Sequence, residues 1–466
     1  MKFNKTLLSV TIFTTISISF LNTPLAQVRK QPQSLTQVKT PSQSKRITWK
    51  EVATKVKNVN YTIEENRIKL RQSKEYAKYA RLSLLPKLNL WKLLDFSSDT
   101  KGIFGFIEDL VPFLIPANWN KAKQAEILAL AAEESYKTVL ANELLNAKIL
   151  YNSINNDRNL VTQLKRNQGV ITELYQFAEA RSEFGHDELL IKNHLQSLLL
   201  QNKEDILVIN QVIKEEKLRL LNIMGSQITS QYDLSEIPSA GNLNLKSHEV
   251  ELILSNSPEL KVYDSLIQVS GLIKDEIYFS FLGGSSLSKG FYGGIFDAIP
   301  VDGGLGFSTP SQIKIAKDQT ALLNKQKEAS RALIDLQYQT AAEIITSLRE
   351  QLVSANEIYQ FSIQRVENLK DKMYLGQKIN LAEFSDSLLS LSKATAKLYL
   401  VQNQIKQNQF KLERMLWKGD FLDLPKVPSP VDPKSKSDKV KNMTSPEKPS
   451  ESVKPITYPP WDTSIG

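Results

Sequence analysis

The distribution of glycine constrains this chain more than any other feature. Of its eighteen glycines, eight lie within 283–306 and two within 102–105, whereas 119–224 holds only Gly169 and Gly185 and 307–418 only Gly376. The glycine-poor stretches are rich in Ala, Leu, Gln, Glu and Lys, residues that favour helix by up to about 1 kcal/mol each over Gly. Short Gly, Pro and aromatic inserts separate them. The pattern predicts helices over roughly 50–84, 119–166, 170–224, 247–277, 311–372 and 379–417. At ~1.5 Å per residue the longest would reach ~75–90 Å, too long for a globule. Leu140, Leu144, Ala147, Tyr151, Ile154, Arg158 and Val161 step by four and three in turn. Ala341, Ile345, Leu348, Leu352, Ala355, Tyr359, Ser362, Val366, Leu369 and Met373 do the same. A mean step of 3.5 is the seam of coiled-coil packing, and its small residues let helices approach closely.

The pattern occurs twice. Residues 51–60 resemble 249–258, each running through Glu-Val into a helix and then an irregular insert. Phe184-Gly185-His186 precedes a helix that ends in Met224-Gly225. Leu375-Gly376-Gln377 precedes one that ends in Met415-Leu416-Trp417-Lys418-Gly419. Helix, insert, long helix, Gly turn and helix, repeated, make a tandem duplication.

The net charge of +9 is misleading until it is mapped. Residues 1–26 carry +2 and 27–46 carry +5, the tail 419–466 is neutral, and only +2 remains on the body. A nucleic-acid binder concentrates positive charge on its folded part, so no nucleic-acid partner is expected. Residues 1–26 read as a signal peptide: Lys2 and Lys5, an apolar stretch from Leu7 to Phe20, and a small residue at Ala26. Residues 27–46 read as a disordered basic linker, and 419–466, with nine of nineteen prolines, as a disordered Pro/Lys-rich tail. With no cysteine there is no disulfide, thiolate metal site, cysteine nucleophile or lipid anchor through Cys.

On its helix starts, inserts, Gly turns and duplication, the chain resembles the TolC-type outer-membrane efflux family over nearly all of 47–418. Ile47-Thr48-Trp49-Lys50-Glu51 matches the start of the family's repeat, and Leu84-Leu85-Pro86 the approach to its first strand. The resemblance implies a mainly α fold of long antiparallel coiled-coil hairpins, with short β inserts forming part of a trimeric outer-membrane β-barrel. The first repeat would span 47–229 with its insert at about 87–117, and the second 246–418 with its insert at about 278–309. The inserts themselves match weakly. Leu88, Leu90, Leu94 and Phe96 alternate, but Lys92 shares their face, Pro112 disturbs the returning segment, and Gly290–Ile295 and Gly303–Ser308 are short. Two readings stay open: a membrane-spanning barrel, or a reduced cap that does not cross the bilayer.

The resemblance implies an outer-membrane exit duct for efflux or type I secretion, a homotrimer embedded in outer-membrane lipid and extending into the periplasm. Its partners would be a periplasmic adaptor (membrane fusion) protein and an inner-membrane pump. The alternative is a periplasmic coiled-coil scaffold of the same ancestry with no pore. Gly185, His186, Gly376 and Gln377 would mark the periplasmic tips that meet the adaptor. The first departs from the family's pattern, with Gly185 running into His186-Asp187-Glu188 about three residues short. Family members can close the tunnel with acidic residues beyond the second tip. An ungapped match puts Ala382 and Ser385 there, and a shift of one puts Glu383 and Asp386 there as a possible gate. Their i, i+3 spacing lies on one helix face, the spacing also of an ordinary solvated face. No Ser/His/Asp set, dinucleotide motif or metal-ligand cluster stands out, so no catalytic residue, metal or cofactor is expected and the chain does not read as an enzyme.

Overall fold

The computed structural model describes residues 45–85, 112–182, 186–225, 232–236, 249–279, 306–377 and 380–422. The expected leader, most of the basic linker, the greater part of both β inserts and the tail beyond 422 lie outside the described residues. Strand β1 (Lys45–Ile47) leads into α1 (Trp49–Val59) and α2 (Tyr61–Leu82). A 3-10 turn at Pro112–Leu114 then precedes α3 (Pro116–Ser182), and α4 (His186–Ile223) returns to β2 (Tyr232–Leu234). The second repeat follows the same plan with α5 (Glu249–Asn256), α6 (Pro258–Phe279), α7 (Thr309–Tyr374) and α8 (Leu381–Met415), then a 3-10 turn at Gly419–Phe421. Matched lengths confirm the duplication: 22 and 22 residues for α2 and α6, 67 and 66 for α3 and α7, 38 and 35 for α4 and α8. At ~1.5 Å per residue α3 and α7 are each ~100 Å long.

Each long helix is flanked by two shorter ones in succession. Along α3, α2 covers the end near the insert, where Ala80 and Leu84 meet Ala122 and Ala125, and α4 covers the end near the tip. Along α7, α6 and α8 divide the length in the same way. The lower helices lie in the order α4, α3, α8, α7. Both predicted seams are buried, with Arg158, Leu352 and Tyr359 only partly so.

Where α4 ends, the α1–α2 junction begins. The Asn60 side chain accepts from Ile63 N (2.9 Å), capping α2, and donates to Ile223 O (2.8 Å), taking up a carbonyl at the end of α4. Gly225 packs so closely that an added Cβ would fall 2.4 Å from Val59 O, and its φ of +61° already favours glycine. In the second repeat Ser257 separates α5 from α6, and Arg414 near the end of α8 pairs with Glu259. A buried cluster ties this level together. Lys148 Nζ reaches Glu413 (2.8 Å) and Asp420 (2.7 Å) and lies 4.6 Å from the centre of the Phe410 ring, while Trp49 Nε1 donates to Asp420 (2.9 Å). β1 and β2 pair in parallel beside it, and Tyr151 Oη donates to Ser235 O (2.6 Å).

Four expectations change. The break predicted between 166 and 170 is absent: α3 continues through Gly169, where the flanking seam outweighs one glycine's helix cost. The intervals 50–84 and 247–277 are each two helices, broken at Asn60 and Ser257. The linker 27–46 ends earlier than expected, because Lys45 and Arg46 pair with β2. The tail 419–466 starts later, because Phe421 is 1% exposed and Asp420 is held by Lys148. One equivalence is also corrected: the residue that ends α8 as Gly225 ends α4 is Trp417 (φ 52°), not Gly419. Its N–H bonds Arg414 O (3.2 Å) and that of Lys418 bonds Glu413 O (2.9 Å), a Schellman pattern that normally holds glycine.

Candidate functional site at the hairpin tips

The far ends of α3, α4, α7 and α8 meet in one apolar cluster built on Leu174, Leu195, Leu369, Met373, Phe384 and Leu388. Each helix contributes because the step of three and four keeps its apolar face inward to the last turn. Helix α7 ends at Leu375-Gly376, where Gly376 N bonds Met373 O (3.2 Å), Gln377 N bonds Lys372 O (3.0 Å) and Gly376 has φ +70°. Here the glycine expected from sequence is required by the turn. Gly185 lies outside the described residues. His186 begins α4, and its side chain is likewise outside them.

A polar brace joins the two hairpins at this end. Glu173 on α3 accepts from Lys370 Nζ (2.7 Å) and Tyr374 Oη (2.7 Å), both on α7. Arg181 Nη1 donates to Met373 O (3.2 Å) and stacks over Phe177, whose ring meets that of Tyr374 edge-on at 4.9 Å. The Lys370 and Tyr374 hydrogen bonds hold the Glu173 carboxyl below the usual range, and Glu173 in turn raises Lys370 and Tyr374. Within the first hairpin Lys192 pairs with Glu179 (2.9 Å) and holds that carboxyl low as well.

Sequence reasoning missed this brace. Its partners are 197 and 201 residues apart, so no local spacing could join them. The duplication was the one available signal, since the braced residues fall near the ends of equivalent helices. Glu383 and Asp386 are exposed on the first turns of α8, while Phe384, Ser387 and Leu388 between and beside them face the bundle. Neither carboxylate makes an ion pair among the described residues.

No protein-family model matches the sequence, and no curated protein resembles it closely enough to count as a relative. Solved structures do match the fold. A membrane protein from Pseudomonas aeruginosa aligns with a TM-score of 0.65 at 12% identity, over 82% of this chain and 92% of that one. The CmeC outer membrane channel of Campylobacter jejuni aligns at 0.63 and 11% identity, over 90% and 98% of the two chains. CusC, studied for transmembrane channel formation, aligns at 0.63 and 14%, over 80% and 92%. The class of architecture is therefore the TolC-type fold, that of outer-membrane channels built from tandem helical hairpins.

Proposed function

We propose that the chain is the outer-membrane exit duct of an efflux or secretion assembly, a passive homotrimeric channel. A periplasmic adaptor and an inner-membrane pump would deliver its cargo. The observation that carries this reading is the pair of uncovered edges. The four lower helices lie in a row whose edge helices, α4 and α7, expose Leu200, Leu207 and Leu218 on one side and Leu336, Val353 and Phe361 on the other. Among the described residues these apolar rows have no partner, and further copies joined edge to edge would cover them and close a tunnel. The structural neighbours that are outer-membrane channels support the same reading. Two strands from each insert, at about 87–117 and 278–309, would complete a closed barrel, in which every strand hydrogen bond is satisfied. The tips at Gly185, His186, Gly376 and Gln377 would face the adaptor, and the Glu173 brace would hold the hairpins closed.

The deciding experiment is density-gradient fractionation of the expressed protein, followed by an alkaline carbonate wash of the outer membrane. Retention in the membrane supports a spanning barrel. Release into the wash or the periplasm refutes it and leaves the scaffold reading in its place.

A further inference from the structure

Midway along the first hairpin the seam carries charge where apolar residues belong. Asp157 and Arg158 fall between buried Ile154 and Val161 on α3, and Glu216 and Lys217 between buried Ile213 and Leu220 on α4. Arg158 is taken up by β2, pairing with Asp233 and donating to Leu234 O (3.3 Å). Lys217 also turns to β2, donating to Tyr232 O (3.3 Å), while Tyr232 Oη returns a bond to Lys217 O (2.8 Å). With both bases committed to the strand, Glu216 is left in the seam within reach of the Asp157 charge. Oxygen Oε2 of Glu216 is sealed from solvent and has no hydrogen-bond partner. Asn156 bonds the Asp157 carboxyl, and Arg219 on α4 is the cation that acts on Glu216.

We propose that Glu216 holds its proton at neutral pH beside the Asp157 carboxyl and acts as a pH-sensitive latch between α3 and α4. A carboxylate oxygen that reaches neither water nor a donor cannot hold a full charge cheaply beside a second carboxylate, so one group stays neutral. Burial, then the Asp157 charge, pushes the Glu216 carboxyl up to about 8 against the opposing pull of Arg219. Burial also raises Asp157, against the hydrogen bond from Asn156. A carboxyl raised in the folded state stabilises it fully below the ordinary value of 4.5, and that contribution is lost as pH rises through about 8. Above that pH the second charge appears and the helices repel at this level, with β2 still clamped to both by Arg158 and Lys217.

The test uses the full chain, which has no cysteine of its own. Spin labels placed through Asn159→Cys and Lys214→Cys report the α3–α4 distance from pH 6 to 9, alongside difference infrared spectra of the carboxyl stretch. The wild-type background should lose a protonated-carboxyl band and lengthen the distance as pH rises. Glu216→Gln should lose both responses while folding normally at pH 7, since it mimics the neutral form. Asp157→Asn should move the remaining titration to lower pH by removing the like charge. The proposal is overturned if no protonated-carboxyl band exists at pH 7, or if Glu216→Gln leaves the pH response of the distance unchanged.

Discussion

At the scale of single residues, three glycines with similar roles in the sequence turn out to differ. Gly225 is required twice over, by its φ of +61° and by Val59 O, which lies 2.4 Å from where an added Cβ would sit. Gly225→Ala should therefore cost about 3 kcal/mol in chemical unfolding. Gly169 lies in the interior of α3 with open space where a side chain would go. Gly169→Ala should stabilise by about 1 kcal/mol in the same assay, and a loss would show that the helix needs a weak point there. Gly376 was readable from sequence because a turn between helices demands left-handed backbone, and glycine supplies it at least cost. Trp417 was not readable, because nothing local predicts a tryptophan at φ 52°. It is held there by packing on the core around Trp49 and by Arg414 over its ring.

Among elements, the long helices were legible and their interruptions were not. The three-and-four rhythm of α3 and α7 is a local property, and burial follows it almost position by position. The breaks at Asn60 and Ser257 depend on what meets the chain there from far away, namely the ends of α4 and α8. The buried Lys148 belongs to the same class of feature. Lys148→Met should cost about 3–5 kcal/mol, because Glu413 and Asp420 would keep their charges without the ammonium between them. The tip brace responds to acid in the opposite sense to the Asp157–Glu216 pair. Glu173 is depressed, so its contribution is present above the ordinary value of 4.5 and is lost as pH falls through its lower folded value. Crosslinking between introduced cysteines on α3 and α7 near the tip should therefore hold through mild acid and become less efficient only once pH falls below 4.5. Tyr374→Phe with Glu173→Gln should show that loss already at pH 7.

For the whole molecule, the duplication and the hairpin architecture were open to sequence because they repeat, and the quaternary reading extends them. If three copies close a tunnel, six carboxylates from Glu383 and Asp386 would ring its narrow end. Glu383→Ala with Asp386→Ala should then raise single-channel cation conductance in planar bilayers, and unchanged conductance would remove these residues from any gate. The lengths of the helices carry a further mechanical consequence. The joints between α4 and α2 and between α8 and α6 fall at corresponding positions along α3 and α7, which among the described helices run past them without a break. A beam with half of its members spliced at one station bends there first. The Lys148 cluster and the β1–β2 pair stand at that station, as a collar stands around a spliced mast, setting how far the two halves can lean before the splice gives.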